Sequence, residues 1–439
     1  MFRYYMKLGV LSIRANPALS ALMVAAIAIG IGACMTIVTV RHVMSGNPIE
    51  HRNDVLYHVQ LDNWNPNDPY EEPNKPPEQV TYLDSTALLD AGRAYRQVIS
   101  FKSSRVVQPE DADTRPFQEE VRATSADFFA MFDVPFRYGS GWDASADRGE
   151  ERVVVLSTPM NDQLFGGEDS TGRTVMMNNE PFTVVGVLDD WHPVPTFYDL
   201  NNNPFEGPEE IYAPFSVAAA GEWGSAGNNS CWKPPEEGGY EGYLASECIW
   251  IQMWVELRSG AEKEAYVQFL DSYVMQQKEL GRFPRPLNNR LSTPAEWMSD
   301  REVVDDTVSV LLSLAALFLL VCLLNTIGLL LAKVIRRRND ISLRRALGAS
   351  KSALFSQYIV EAGIIGVAGG LAGIGMTWLG LRGIENVFAE YDFISYLVTM
   401  DWQMVGAAVA LAIVSALGAA LYPTWRACSV SPASTLRIQ

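Results

Sequence analysis

Histidine and cysteine are scarce in this sequence, with four and five copies among 439 residues. His42, His51, His58 and His192 make no metal-ligand spacing with the cysteines. No Ser/His/Asp arrangement or paired-carboxylate signature rises above chance in a chain with this many acids. We therefore expect no catalytic site, no metal site and no bound cofactor, and the pattern disfavours a hydrolase.

A nucleotide-binding loop is missing as well, because the pattern GxxxxGK[ST] occurs nowhere in the sequence. The backbone amides of that loop cradle nucleotide phosphates in P-loop ATPases. We expect that the chain is not itself an enzyme and that any ATPase serving it is a separate polypeptide.

Charged residues are almost absent from four long apolar stretches. Each stretch is close to the ~20 residues that cross a ~30 Å hydrocarbon core at 1.5 Å per residue. They predict four transmembrane helices, at residues 18–41, 306–335, 354–380 and 403–423. The first could instead be a cleaved signal peptide, but its apolar run exceeds the core of such a signal. The matching charge pattern further along the chain also requires it as a span.

The remaining charge is strongly partitioned. Between His42 and Asp306 there are 20 Lys and Arg against 45 Asp and Glu, whereas the rest of the chain has 14 against 6. Nucleic acid is excluded as a partner of so acidic a domain, because its phosphates would be repelled. The acidity otherwise indicates a soluble domain, here residues 42–305, exposed outside the membrane.

Short basic flanks set the predicted orientation. Residues 1–17, expected to form a helix, contain Arg3, Lys7 and Arg14 and no acid, and residues 336–353 are also strongly basic. The loop at residues 381–402 is acidic, and the tail at residues 424–439 is basic again. The positive-inside rule therefore predicts a membrane protein with both termini cytoplasmic and the large domain on the opposite side of the membrane.

Only two cysteines, Cys231 and Cys248, lie together in the exported domain, where they would meet an oxidising compartment. We predict a disulfide between them, although two free thiols remain the alternative. Cys34 and Cys322 fall inside spans and Cys428 in the tail.

The sequence of the exported domain predicts a mixed α/β fold. Val55 to Leu61 predicts an edge-like strand, and Val153 to Leu156 and Phe182 to Leu188 predict buried strands, with short helices between them. Two irregular insertions, residues 62–79 and 189–243, lack usable periodicity. Long loops are binding surfaces or disorder, and the aromatic residues of the second favour an ordered surface. Residues 262–280 predict a helix whose stripe contains Ala265, Phe269, Tyr273 and Gln276.

The most specific motif lies in the basic turn. Its apolar and basic residues alternate as in a short amphipathic helix, which could lie on lipid headgroups or bind a groove of a cytoplasmic partner. The motif residues are Asp340, Ile341, Leu343, Arg344, Arg345, Ala346, Leu347, Gly348 and Ala349.

This motif resembles the C-terminal core of MacB/FtsX-type ABC permeases, in which an acid and an apolar pair precede an Arg-Ala-Leu-Gly-Ala run. Asp340 stands where glutamate is more usual. The resemblance extends to Asn325, to Glu361, to a tail with Pro432 and Leu436, and to residues 153–188, which resemble the MacB-type periplasmic core.

The resemblance implies a permease dimer, of identical or different subunits, driven by cytoplasmic ABC ATPase subunits through the turn at Asp340 to Ala349. It implies export of a substrate from the periplasm or outer leaflet, with a periplasmic adaptor and an outer-membrane channel as further candidate partners besides membrane lipids. FtsX-like signalling to a cell-wall hydrolase and lipoprotein release are the alternatives.

The third span contains two further features. Gly366, Gly369, Gly370 and Gly373 form overlapping GxxxG spacings, which allow close helix packing either within one subunit or between two. Glu361 lies inside the same span, where an unpaired carboxylate is costly, so we expect a pair with Arg344 or Arg345, or snorkelling to the interface.

Overall fold

The computed structural model describes residues 2–109, 115–304, 306–387 and 402–429. They form two compact units, one of Met1–Ser45 with Val304–Gln439 and the other of Gly46–Val303. Pro432, Leu436 and most of the loop at residues 381–402 lie outside the described residues.

Long apolar helices lie toward both ends of the chain, and the helices between them are shorter. In chain order they are α1 (Phe2–Ala15), α2 (Pro17–Met44), α3 (Tyr82–Ala91), α4 (Phe128–Met131), α5 (Ala144–Arg148), α6 (Thr158–Phe165), α7 (Phe215–Ala220), α8 (Gly239–Leu244), α9 (Gly260–Glu279), α10 (Pro294–Asp300), α11 (Asp306–Arg336), α12 (Arg338–Ala346), α13 (Lys351–Val387) and α14 (Trp402–Ser429).

The strands all belong to the second unit. They are β1 (Leu56–Gln60), β2 (Val80–Thr81), β3 (Arg96–Gln108), β4 (Phe117–Thr124), β5 (Phe136–Gly139), β6 (Val153–Leu156), β7 (Thr174–Met177), β8 (Glu180–Leu188), β9 (Ile211–Pro214), β10 (Ile249–Glu256) and β11 (Arg290–Ser292).

Four helices of the first unit, α2, α11, α13 and α14, are long and apolar enough to cross a membrane, counting only the residues that the structure describes. The prediction of four such helices is thereby confirmed. Helix α13 is central, because it packs against α2, α14 and the short α1, while α11 packs against α2 and α14.

The second unit is one mixed sheet in the order β11-β1-β10-β3-β4-β9-β6-β8-β5, with β2 and β7 paired at its sides. Strand pairs β4–β9 and β6–β8 are parallel and the others antiparallel. Apolar side chains are buried on both faces of the sheet. Val154 and Leu156 of β6 belong to one core, with α3, α6 and α9, whereas Val153 and Val155 belong to the other, with α4 and α10. The expected mixed α/β domain is confirmed.

Three details of the sequence prediction were wrong in this unit. The strand at Val55 to Leu61 is not edge-like, because β1 lies between β11 and β10 and all five of its residues are buried. Its polar His58 is stacked on Trp297, with ring centroids 4.0 Å apart, and burial lowers the pKa of this histidine to about 3. The alternation of apolar and polar residues in β1 therefore reflects a strand covered on both faces of the sheet, not a strand with one face in solvent.

The insertion at residues 189–243 is not irregular throughout. It contains α7, α8 and β9, and β9 lies between β4 and β6 in the middle of the sheet. A four-residue strand is too short for an alternating pattern to distinguish it from a loop. Its pairing partners also lie far away in the sequence.

The buried stripe of α9 also differs from the predicted one by one position. Tyr266, Leu270 and Val274 are buried, whereas Ala265 and Gln276 are exposed. Phe269 and Tyr273 flank the stripe and are partly buried. Through these side chains α9 packs on the sheet of its own unit.

Candidate coupling site

The basic turn forms the short helix α12 between the ends of α11 and α13. Ile341 is 6% exposed and packs with Leu354, against which Val334, Phe355 and Tyr358 are also packed. This small apolar cluster joins α12 to both long helices. The cluster predicts that α12 moves together with the ends of α11 and α13.

The opposite side of α12 is exposed. Leu343 and Leu347 are 55% and 80% exposed, four residues apart and so on the same helix face, and Asp340 is exposed as well. Two large apolar side chains surrounded by basic residues form a surface suited to the groove of another protein. The structure thus divides the predicted coupling residues into a buried anchor, Ile341, and an outward surface.

The end of α12 depends on a left-handed glycine. Gly348 has φ +96°, and its N–H donates to the carbonyl of Arg345 at 3.1 Å. Ala349 is half-buried, and its N–H donates to the carbonyl of Arg344 at 3.0 Å. These two bonds satisfy carbonyls at the helix end, in the manner of a Schellman cap. The reversal places Leu347 at the tip of the turn.

Arg344 has a different partner from the one expected. Its Nη1 donates to the amide oxygen of Gln357 at 3.2 Å. Glu361 lies one turn further along α13 and pairs instead with Lys333 of α11. The sequence prediction of Arg344 or Arg345 as partner of Glu361 was therefore wrong. Lys333 lies one turn before the end of α11, and only the packing of α11 against the other spans shows that its side chain contacts Glu361.

Lys333 also binds the first span. Its Nζ donates to the hydroxyl of Ser20 on α2 at 3.3 Å, and the side chains of Lys333 and Glu361 are each 2% exposed. Four residues further along, Arg337 donates to the hydroxyl of Ser12 on α1 and, at 3.2 Å, to its carbonyl. The end of α11 is therefore bonded to α1, α2 and α13 immediately before α12 begins.

The glycines of α13 face two different neighbours within the same chain. A Cβ on Gly366 or Gly370 would stand 2.8 Å or 2.9 Å from an alanine Cβ of α14. A Cβ on Gly369 or Gly373 would stand 2.7 Å or 3.1 Å from an isoleucine Cγ2 of α2. Within one chain, both GxxxG spacings therefore serve the packing of α13 against its neighbours.

In the second unit, the two insertions are held by buried charges that the sequence did not indicate. Arg122 of β4 is 1% exposed and pairs with Asp199 at 2.7 Å and with Glu209. Burial alone would raise the pKa of Glu209, but the charge and hydrogen bonds of Arg122 hold it below its ordinary value. The segment between Asp199 and Glu209 is thereby fixed against the sheet.

The first insertion is bonded to the segment at residues 285–301. Arg285 donates to Asp62 at 3.1 Å, and Arg301 pairs with Glu71 at 3.1 Å and with Glu78. Residues 62–79 have no strand or helix of their own, so these ion pairs order them. A pattern of charges scattered over 240 residues gives no signal in the sequence.

Cys231 and Cys248 are joined by a disulfide. The next residue back, Glu247, accepts from Arg282 at 2.6 Å, and Arg282 also binds Asp84 at 2.8 Å. The disulfide loop is therefore fastened to α3 and to the end of α9. Within the described part of the chain, no group of three His, Cys, Asp or Glu is placed to hold a metal ion.

Four membrane-length helices with an α/β domain inserted after the first define a multi-pass membrane protein. Comparison with known families then shows to which class of membrane protein the chain belongs. The MacB-like periplasmic core domain family matches residues 20–273, more than half of the chain, and the FtsX-like permease C-terminal family matches residues 312–432. The chain belongs to the MacB/FtsX-type permeases of ABC transporters.

Individual relatives are more distant. The pyoverdine export ATP-binding/permease protein PvdT of Pseudomonas syringae pv. tomato is 27% identical over 249 residues, 56% of this chain and 33% of the relative. The macrolide export ATP-binding/permease protein MacB of Rhodospirillum rubrum is 26% identical over 379 residues, 84% of this chain and 51% of the relative. The chain thus spans about half or less of the length of these relatives.

Among solved structures, the periplasmic region of MacB from Actinobacillus actinomycetemcomitans is similar over 58% of this chain and 98% of its own, with 13% identity and a TM-score of 0.37.

Proposed function

We propose that the chain is the permease subunit that couples ATP hydrolysis by cytoplasmic ABC ATPase subunits to movement of its periplasmic domain. The cycle exports a substrate from the periplasm or outer leaflet. The observation that carries the proposal is the two-sided α12, with Ile341 anchored between α11 and α13 and Leu347 80% exposed at the tip. A push on the tip reaches both long helices through that anchor.

The charge pattern supports the orientation that this mechanism needs. The side containing α12 is basic, so we place it and both termini in the cytoplasm, in the inner membrane. The spans have few charged side chains with which to build a polar channel, and Lys333 and Glu361 neutralise each other. Export by leverage on the periplasmic domain therefore fits better than passage through the bundle. The relatives whose descriptions specify export favour the same direction of transport.

We further propose that the permease works as a dimer, with either an identical or a different second subunit. The packing of Gly366 and Gly370 against α14 and of Gly369 and Gly373 against α2 occupies these faces within one copy. The dimer contact must then use other helix faces, of which α11 has the largest apolar exposure, including Leu317 at 58%.

Photo-crosslinking tests the contact directly. A photo-crosslinking amino acid in place of Leu347 is expected to capture an ATP-hydrolysing subunit in native membranes. The same amino acid in place of Leu280, 71% exposed in the other unit, is the matched control and should not capture it. Failure of position 347 to capture an ATPase, or equal capture at both positions, would contradict the proposal.

Purification in mild detergent then separates export from its alternatives. Recovery of an ATPase with a periplasmic adaptor and an outer-membrane channel supports export. An ATPase recovered with an activator of a cell-wall hydrolase supports signalling, and one recovered with lipoproteins supports lipoprotein release. In either of the last two cases the coupling role of α12 stands while the export assignment falls.

A further inference from the structure

The short helix α1 has a basic face with no ion-pair partners in the part of the chain that the structure describes. Arg3, Lys7 and Arg14 are all exposed, and α1 contains no Asp or Glu. At 3.6 residues per turn, positions 3, 7 and 14 fall within roughly 40° of one another around the helix. They therefore form a single cationic stripe.

Apolar side chains border this stripe on both sides. Tyr4 and Leu11 are 60% and 53% exposed on one side, and Met6 and Val10 are 37% and 41% exposed on the other. A basic stripe between exposed apolar residues is typical of helices that lie in the membrane interface, because it matches anionic headgroups above the acyl chains.

An apolar groove opens beside the basic stripe. It has a volume of about 440 Å³ and lies between α1, α2 and α13, all in the same unit. Apart from Arg14 and Ser20 its lining is apolar, and Ser20 already accepts a hydrogen bond from Lys333. The apolar lining includes Val10, Ile13, Ala21, Val24, Ile364 and Ala368.

The size and charge of the groove select its occupant. A volume of 440 Å³ equals only about one turn of an α-helix with side chains, so the groove is too small for a partner helix. It can hold a flexible alkyl chain. Arg14 contributes an exposed cation to an otherwise apolar lining, so the occupant should have an anionic group next to a long apolar part.

We propose that this groove is a binding site for an anionic phospholipid, with an acyl chain between α1, α2 and α13 and the phosphate paired with Arg14. Lys7 and Arg3 contribute to adsorption of α1 on the surrounding anionic headgroups. The lipid would hold α1 against α13, where a Cβ on Gly9 would stand 2.8 Å from Ile364. The site thus lies beside Glu361 and Lys333, because Gly9 also approaches the backbone of Glu361.

Native mass spectrometry of the full chain in mixed micelles measures this binding, with dioleoyl phosphatidylglycerol or dioleoyl phosphatidylcholine as the added probe. The unchanged protein is expected to retain phosphatidylglycerol and to release phosphatidylcholine. Arg14→Gln should weaken phosphatidylglycerol binding roughly five-fold, the effect of one cation near a charged headgroup.

Two matched controls separate the site from general adsorption. Lys351→Gln removes an exposed cation at the start of α13, roughly 20 Å along the helix from Ile364, and should leave binding unchanged. Ala21→Phe fills the groove and should abolish retention, whereas Ala25→Phe adds the same ring at an exposed position of α2 that does not line the groove.

Equal retention of the two lipids, an Arg14→Gln effect no larger than that of Lys351→Gln, or equal binding by the two phenylalanine variants would each overturn the proposal. The unfolding temperature of each variant in lipid-free detergent checks that the fold is retained. If Ala21→Phe proves unfolded, Ala368→Leu provides a second groove-filling variant with the same expected loss.

Discussion

Lys333 of α11 and Glu361 of α13 form an ion pair that is buried inside the helix bundle, with both side chains 2% exposed. Glu361 is ten residues into α13, roughly 15 Å from its first residue. Lys333 also donates to Ser20 of α2, so one ammonium group joins three of the four spans.

Replacing one residue of this ion pair should lower the free energy of unfolding more than replacing both. Lys333→Met or Glu361→Leu leaves one buried charge unpaired, and we expect each to lower the free energy of unfolding by about 3–5 kcal/mol. The double variant should recover much of that loss. Thermal unfolding in detergent measures all three, and singles whose effects simply add would contradict a direct pair.

The exposed pair of Arg382 and Glu385 on the same helix supplies the control for that experiment. Its side chains are 56% and 30% exposed, and the residues are three positions apart. Glu385→Gln should change the free energy of unfolding by no more than about 1 kcal/mol, because solvent screens such pairs.

The glycine contacts of α13 give a second prediction. Gly370→Ala places a methyl group 2.9 Å from the Cβ of Ala412 and should cost about 1–3 kcal/mol through overpacking. Gly375→Ala, on the same helix with no atom within 4 Å, should be neutral or slightly stabilising. Unfolding in detergent compares the two, and equal effects would remove the packing role of Gly370.

A third prediction concerns the end of α12. Gly348 has φ +96° and open space around it, so Gly348→Ala is opposed only by backbone strain, about 1–2 kcal/mol. Gly363→Ala meets equally open space within a helix and is the control. If α12 couples the ATPase to transport as proposed, Gly348→Ala should shift Leu347 and reduce transport, while Gly363→Ala should transport normally.

The measurement is substrate transport and ATP hydrolysis in membranes, together with recovery of the complex by affinity purification. Normal assembly with impaired transport is the expected pattern for Gly348→Ala. Transport at the level of Gly363→Ala would show that the left-handed turn is not needed for coupling.

Asp147 makes the stability of the second unit depend on pH. Burial raises the pKa of this carboxyl to about 6, although it accepts hydrogen bonds from the Ala126 amide and the Trp142 indole. The folded state then binds the proton more tightly than the unfolded chain. The free energy of unfolding should therefore fall, by up to about 3 kcal/mol, as pH rises from about 4 through about 6.

Asp147→Asn should flatten this dependence in urea unfolding followed by tryptophan fluorescence of the full chain. Asp143→Asn is the control, since hydrogen bonds from Ser145 and Ala146 lower the pKa of Asp143 and its titration falls below this window. A slope between pH 4 and 6 that survives Asp147→Asn would assign the dependence to another group.

The parts of the fold that the sequence predicted are those set by local composition. Four apolar runs define the spans, and the compartment of Cys231 and Cys248 suggests their pairing without any knowledge of the fold. The left-handed backbone at Gly348 is one that glycine adopts without steric cost.

The parts that were missed depend on neighbours distant in sequence. Strand β9 is too short to be recognised by pattern, and the strands that it pairs with, β4 and β6, are distant in the sequence. Lys333 is one of several basic residues near the end of α11, and only the packing of the helices shows that it pairs with Glu361. For the same reason, the pairing of Arg122 with Asp199 could not be inferred.

Strand β1 pairs with both β10 and β11. The first strand of the second unit therefore lacks its partners until the last strands of that unit have been synthesised. During synthesis at about 5–20 residues per second, β1 waits roughly 10 to 50 s before β11 has been made. Through that interval its apolar edge is open to wrong partners. Chaperone binding to the nascent segment that contains Leu56 and Val59 should therefore persist until Ser292 has emerged, and a chain truncated before β10 should remain aggregation-prone.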